Sequence, residues 1–232
     1  MNRLNPEESN GERMIRGIIF DLFGTIVSNR RLFRPICSKM AEDVEVQSEE
    51  IERDFVSLYR RYFNDCHKMP FQPERYYYYL LIADLIDKYK LPGDMESYCN
   101  YMYDSFSELP VYPDSRVLKR ICKDYKVAIL TNADDVFVRK VVERNRIPHH
   151  VLLTSETARS YKPSEVIFNE VLLMLKLARN EVLFVGDSIQ VDMLGAAGAG
   201  IKGILIDRSK SYFDYAPRIE SLEDLPSLLR QY

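Results

Sequence analysis

Four short apolar runs in this chain are each followed, directly or within one loop, by polar residues. The runs begin at Gly17, Val127, Val151 and Val182, and their length and composition are typical of buried β-strands. The polar segments after them read Asp21-Leu22-Phe23-Gly24-Thr25, Thr131-Asn132, Lys162-Pro163 and Gly186-Asp187. Because parallel strands present ligand sites outside their carboxyl ends, we expect these four segments to meet in one crevice.

The order of the patterns predicts the fold class. From Tyr125 onward, apolar runs alternate with segments of helical period, as βαβ units require. We therefore predict an α/β protein with a doubly wound parallel-sheet core. Asp114 and Ser164 are predicted to cap helices, and Ser221 with Asp224 is predicted to form a capping box before the last helix.

The segment between the first two strands carries helical patterns. Apolar and aromatic residues such as Ile51, Phe55 and Leu58 recur there at helical spacing. At roughly eighty residues, the segment is far too long for a plain loop in a compact domain. We therefore expect an all-helical cap inserted into the core, with a flexible extension before it. The predicted regions are the extension 1–13, the α/β core 14–28 and 110–232, and the helical cap 29–109.

The composition limits the partners. A formal net charge of −3 gives no electrostatic reason to expect nucleic acid or an anionic membrane surface. The four cysteines are scattered without metal-ligand spacing, which favours reduced thiols in an intracellular protein. No run approaches the roughly 18 apolar residues of a membrane span. We predict a cytoplasmic protein with a small anionic substrate and no nucleic acid or membrane partner, and the oligomeric state stays open.

The polar segments after the first two strands contain candidates for catalysis. The carboxylate of Asp21 can attack an electrophile and form a covalent intermediate, although a lone Asp at this place also forms turns. Gly24 allows a sharp turn, and Thr25 either contacts an anion or stabilises that turn. Thr131 and Asn132 offer a hydroxyl and an amide to an anionic oxygen. Alternatively, they cap a helix that starts near Asp134.

Taken together, the four segments resemble the haloacid dehalogenase-like superfamily over Ile15 to Arg208. The resemblance implies a Rossmann-like core with an inserted cap, and hydrolysis through a covalent aspartyl intermediate on Asp21. It implies that Lys162 compensates charge between that carboxylate and the substrate anion. Thr25, Thr131 and Asn132 complete the implied catalytic set.

The last segment resembles the metal-binding motif of the family's phosphatases. Gly186, Asp187 and Asp192 fit the pattern GDSxxxD. The resemblance implies a Mg²⁺ site formed by the carboxylates of Asp21 and Asp187 and the backbone carbonyl of Phe23. Asp192 would act directly or through another ligand. Mg²⁺ prefers such oxygen ligands in octahedral geometry.

Phe23 departs from the phosphatase pattern. Phosphatases of this family usually carry DxDxT, whose second Asp protonates the leaving alcohol, and Phe23 occupies that position here. L-2-haloacid dehalogenases carry an aromatic residue there, since a halide leaves without a proton. Those dehalogenases lack the Mg²⁺ site, however, and this chain has Asp187. An acidic pair without a metal would repel an anionic 2-haloacid, which favours the phosphatase.

Three functions therefore remain, one preferred and two alternatives. The preferred one is a Mg²⁺-dependent phosphatase acting on a small phosphorylated metabolite. The alternative is a metal-independent (S)-2-haloacid dehalogenase, in which an arginine near the start of the cap holds the substrate carboxylate or the halide. The candidates for that arginine are Arg30, Arg31, Arg34 and Arg53. A second alternative is a non-catalytic relative that binds a phosphorylated ligand.

Overall fold

The structure, a computed structural model, describes residues 14–232. Its described part is built on a sheet of six parallel strands in the order β3-β2-β1-β4-β5-β6. The strands are β1 Gly17–Phe20, β2 Lys126–Thr131, β3 Val151–Thr154, β4 Val182–Gly186, β5 Lys202–Ile206 and β6 Arg218–Ile219. The extension predicted for residues 1–13 lies outside the described residues.

Helices precede and follow the strands along the chain. Four of them lie between β1 and the return of the chain to the sheet: α1 Arg34–Val44, α2 Ser48–Phe63, α3 Glu74–Tyr89 and α4 Met95–Ser107. The others are α5 Leu118–Asp124, α6 Asp135–Arg144, α7 Ser155–Ala158, α8 Glu165–Leu175, α9 Leu194–Gly198 and α10 Leu225–Leu229. The architecture is the predicted doubly wound α/β core with an inserted all-helical cap.

The two faces of the sheet belong to two hydrophobic cores, because successive strand residues point to opposite sides. In β1, Ile18 and Phe20 belong to the core that continues into the inserted helices. Ile19 faces the other side and packs in the core that contains Phe168 of α8. Since β1 is buried between β2 and β4, the chain after Phe20 leaves the sheet at the centre of its carboxyl edge.

The inserted helices connect to the sheet through two adjacent crossings. The amide of Ser28 donates to the carbonyl of Pro110 at 2.9 Å, and the amide of Tyr112 donates to the carbonyl of Ile26 at 2.9 Å. These bonds hold the outgoing and returning segments side by side. The division into a core and a cap at 28/29 and 109/110 stays a prediction.

Local sequence signals predict two of the helix caps correctly and one wrongly. Ser164 caps α8 by accepting from the amide of Val166 at 3.3 Å, and Ser221 with Asp224 forms the expected capping box. The cap assigned to Asp114 is wrong. Its carboxylate instead pairs with Arg208 at 2.8 Å and accepts bonds from Ser221 and from the amide of Leu222. The long-range ion pair is therefore the stronger attraction at this carboxylate.

Two whole-chain expectations concern membranes and cysteines. Within residues 14–232, no helix has both the length and the apolar character needed to cross a membrane. The four cysteines are free thiols, and three of them are buried.

Candidate active site

Asp21 follows β1 directly and lies at the centre of the carboxyl edge of the sheet. Its amide donates to the carbonyl of Val185 in β4 at 2.9 Å, which fixes its backbone. One carboxylate oxygen, Oδ1, accepts from Lys162 Nζ at 2.7 Å. The other, Oδ2, is buried without a hydrogen-bond partner among the described residues. Burial, opposed by Lys162 and assisted by Asp192, raises the pKa of Asp21 to about 6.

Lys162 bridges two carboxylates in the interior. Its Nζ lies 2.7 Å from Asp21 Oδ1 and 2.7 Å from Asp192 Oδ1, and the residue is only 3% exposed. Burial alone would lower the pKa of this amine, but the carboxylates of Asp192 and Asp21 outweigh burial and raise it. Lys162 is therefore a charged counter-ion at the site.

Three carboxyl groups converge beside Lys162. Asp21, Asp187 and Asp192 each offer one oxygen, and these oxygens all lie within 4.8 Å of one another. Burial and the neighbouring carboxylates of Asp21 and Asp192 raise the pKa of Asp187 to about 8. A divalent cation would relieve this repulsion, and carboxylate oxygens are the ligands Mg²⁺ prefers. The donor set and the unpartnered Asp21 Oδ2 therefore fit Mg²⁺.

Gly24 makes the close approach of this loop to Asp187 possible. Its φ is +96°, and a Cβ at this position would collide with the Asp187 carboxylate. The loop is also held from outside by Arg208, whose guanidinium donates to the carbonyls of Gly24 at 3.2 Å and Thr25 at 2.6 Å. No local sequence pattern relates Arg208 to a loop more than 180 residues away, so this contact is not predictable from the sequence.

The other predicted residues differ in their contacts. Asn132 uses its amide on the backbone of Lys162: Nδ2 donates to the carbonyl at 3.0 Å, and Oδ1 accepts from the amide at 2.8 Å. Thr131, at the end of β2, is buried and borders the cavity described below. The hydroxyl of Thr25 is buried without a partner among the described residues, and Thr25 does not border that cavity.

A cavity of about 240 Å³ joins these residues to the inserted helices. Its polar end is formed by Asp21, Lys162 and Asp187, together with Thr131 and Asn132. Much of the remaining wall consists of aromatic and aliphatic side chains. These are Phe23, Leu32, Tyr59, Tyr78, Phe106 and Phe137. The cavity is at the small end for ligand sites and suits a metabolite-sized molecule.

Asp134 joins the two parts of the molecule. It precedes α6, but its carboxylate accepts from the amides of Glu74 and Arg75, both at 2.9 Å, at the start of α3. It also accepts from the hydroxyl of Tyr103 at 2.7 Å. A carboxylate at a helix N-terminus satisfies free amides and interacts favourably with the helix dipole. This link between the sheet edge and α3 helps to position Glu74 at the cavity.

The chain belongs to the haloacid dehalogenase-like hydrolase family, whose model matches residues 15–200. This agrees with the resemblance seen in its four motifs. The chain is therefore a member of a hydrolase family whose members differ in reaction and substrate.

Three similar proteins illustrate the range of the family. A ribulose-1,5-bisphosphate 5-phosphatase of Halopiger xanaduensis is 28% identical over 142 residues, 59% of this chain and 59% of that relative. A HAD-hydrolase of Bacillus subtilis bound to magnesium superimposes with a TM-score of 0.82 at 16% identity, covering 94% of this chain and 99% of that one. The L-2-haloacid dehalogenase of Xanthobacter autotrophicus gives a TM-score of 0.74 at 18% identity, with the same coverage. Both structural likenesses concern the fold alone.

Proposed function

We propose that this protein is a Mg²⁺-dependent phosphatase that acts on a small phosphorylated metabolite through a covalent aspartyl intermediate. The observation that carries the proposal is the convergence of Asp21, Asp187 and Asp192 within 4.8 Å. Three carboxylates facing one lysine repel an anionic substrate unless a cation is bound. The proposed ligands are the carboxylates of Asp21 and Asp187 and the carbonyl of Phe23, with Asp192 acting directly or through another ligand.

The proposed reaction assigns a role to each residue at the polar end. The Asp21 carboxylate attacks the phosphorus atom, so that an Asp–phosphoryl bond forms while the bond from phosphorus to the alcohol oxygen breaks. Lys162 and the hydroxyl of Thr131 bind the phosphoryl oxygens, and Asn132 positions Lys162 through its backbone. The metal, when bound, supplies positive charge that offsets the charge on the phosphoryl oxygens. Water then hydrolyses the acyl phosphate and restores the Asp21 carboxylate.

Phe23 leaves the alcohol without a proton donor at the usual place. Its ring borders the cavity and lies 5.8 Å, centroid to centroid, from the ring of Phe137. We propose that the departing oxygen takes its proton from a bound water molecule. General acid help is typically worth about 10²–10⁴ in rate, so its loss slows turnover on poor leaving groups and leaves good ones less affected.

The dehalogenase remains the second candidate because of Phe23 and the apolar wall. A haloacid needs a cation for its carboxylate, and the candidates for that role are Arg30, Arg31, Arg34 and Arg53. None of the four borders the described cavity. The only lining cation among the described residues is Lys162, which already bonds two carboxylates. This arrangement supports the phosphatase over the dehalogenase.

A paired assay tests the two candidates. The purified protein is given p-nitrophenyl phosphate with Mg²⁺ or with EDTA, and separately (S)-2-chloropropionate with detection of chloride. We expect phosphate release that requires Mg²⁺, and no halide release. Halide release that is insensitive to EDTA would replace the phosphatase with the dehalogenase. A folded protein inactive in both assays would favour the non-catalytic relative.

A substitution at Asp21 tests whether the measured activity comes from the covalent mechanism of this protein or from a contaminating enzyme. Asp21→Asn should lower kcat by at least about a thousandfold, because an amide is a poor nucleophile. Asp214→Asn, which changes an exposed aspartate, is the matched control and should keep full activity. Appreciable turnover by folded Asp21→Asn, with deamidation excluded by mass spectrometry, would eliminate the aspartyl intermediate.

A further inference from the structure

Part of the cavity wall is an aromatic chamber formed by Tyr59, Tyr78 and Phe106 of the inserted helices. The rings of Tyr59 and Tyr78 are 6.3 Å apart, and those of Tyr78 and Phe106 are 6.1 Å apart. In the proposed reaction the phosphoryl group lies against Asp21 and Lys162, so the part of the cavity that contains the aromatic chamber is available to the alcohol part of a substrate.

Glu74 is an ionisable residue of the cavity that the proposed reaction does not use. It starts α3, borders the cavity and is only 6% exposed. Its amide is bound by Asp134, but its carboxyl group has no hydrogen bond or ion pair with any described residue. Burial and the nearby Asp134 carboxylate raise the pKa of Glu74 well above its ordinary range. Within residues 14–232, no cation therefore pairs with this carboxyl group.

The side chains around the cavity carry more negative than positive groups. Four carboxyl groups border it, from Asp21, Glu74, Asp187 and Asp192, against Lys162 as the only cation among the described lining residues. A Mg²⁺ ion at the three aspartates would leave Glu74 unpaired. A phosphate ester adds further negative charge, so positive charge on the alcohol part improves the balance.

We propose that the substrate is a phosphomonoester whose alcohol carries an ammonium group, and that this group binds between Glu74 and the aromatic chamber. The inference rests on the proposed phosphatase function. An ammonium group supplies the counter-charge that Glu74 lacks. Aromatic rings also attract such cations, most strongly where water is excluded. A second phosphate group would instead add negative charge beside the Glu74 carboxyl group.

Two phosphate esters of equal shape test the proposal. Phosphocholine carries a quaternary ammonium, and 3,3-dimethylbutyl phosphate replaces its nitrogen with carbon and removes the charge. We expect wild-type kcat/KM with Mg²⁺ to favour phosphocholine by about tenfold or more. Phosphoethanolamine should also exceed the neutral ester, and ribulose-1,5-bisphosphate should be a poor substrate.

A substitution at Glu74 locates the preference. Glu74→Gln keeps the shape but removes the charge, so the ratio of the two kcat/KM values should fall to about one, mainly through a higher KM for phosphocholine. The matched control is Glu96→Gln, an exposed glutamate in the first turn of α4, which should keep the wild-type ratio. Circular dichroism establishes that both variants fold.

The outcomes distinguish this inference from the proposed function. If the protein hydrolyses p-nitrophenyl phosphate, and its kcat/KM for the neutral ester is at least as high as that for phosphocholine, the ammonium assignment is overturned. The phosphatase function is then left intact. A wild-type preference that persists in folded Glu74→Gln would overturn the role of Glu74. Absence of Mg²⁺-dependent hydrolysis of every ester would overturn the phosphatase and, with it, this inference.

Discussion

Removal of the buried Lys162 should reveal how strongly the acidic site lowers the free energy of unfolding when its counter-charge is missing. In Lys162→Met, the carboxylates of Asp21 and Asp192 each lose a hydrogen bond of 2.7 Å and their shared counter-charge. Breaking a buried ion pair by removing one partner costs about 3–5 kcal/mol. Domains are typically stable by about 5–15 kcal/mol, so this loss is a large fraction of the total.

Magnesium should recover part of that loss if the three carboxylates form a metal site. A ligand that binds only the folded state at a hundred times its Kd stabilises by about 2.7 kcal/mol. Without Lys162 the site is more negative, so Mg²⁺ should stabilise Lys162→Met more than it stabilises the wild type. The difference between the two proteins should therefore shrink when EDTA is replaced by excess Mg²⁺.

Urea denaturation followed by circular dichroism measures both effects. We expect a free energy of unfolding about 3–5 kcal/mol lower for Lys162→Met in EDTA, or no cooperative transition until Mg²⁺ is added. Lys119→Met, which removes an exposed lysine on α5, should stay within about 0.5 kcal/mol of wild type. A loss below about 1 kcal/mol in EDTA, or an equal effect of Mg²⁺ on both proteins, would refute the assignment of Lys162 as the buried counter-ion of a metal site.

Three further substitutions test the site and its support. Gly24→Ala places a Cβ against the Asp187 carboxylate at a positive φ, so Mg²⁺ affinity measured by calorimetry should fall, and unchanged affinity would contradict the close approach. Phe23→Asp introduces a carboxyl group that can protonate the alcohol. It should raise kcat on alkyl more than on aryl phosphates, and equal effects on both would remove the leaving-group argument. Asp114→Asn should cost about 1.5–3 kcal/mol at pH 7 through its lost bonds to Arg208. Although burial opposes it, hydrogen bonding to Arg208 holds the pKa of Asp114 below its ordinary value. The carboxylate therefore stabilises the fold above about pH 4 and less as pH falls, so the difference between variant and wild type should shrink in acid.

The sequence determined the parts of this protein that depend on short-range patterns. The apolar runs that end before Asp21 and at Thr131 identified the strands, and the polar residues after them identified the edge of the sheet where a site forms. The cap of α8 by Ser164 was predictable for the same reason, since donor and acceptor are two residues apart. The backbone fixes such distances before any tertiary contact forms.

The tertiary structure decided which partner each polar side chain takes. The local pattern predicts that Asp114 caps a nearby helix, but its carboxylate pairs with Arg208. Asp134 lies at the start of α6 but binds the amides of Glu74 and Arg75, about sixty residues earlier in the chain. Within a few residues, backbone geometry alone determines which groups can meet. Over longer separations, the meeting depends on how the helices pack on the sheet. The packing of α3 over the sheet edge decides that the Glu74 carboxyl group borders the cavity without a partner among the described residues.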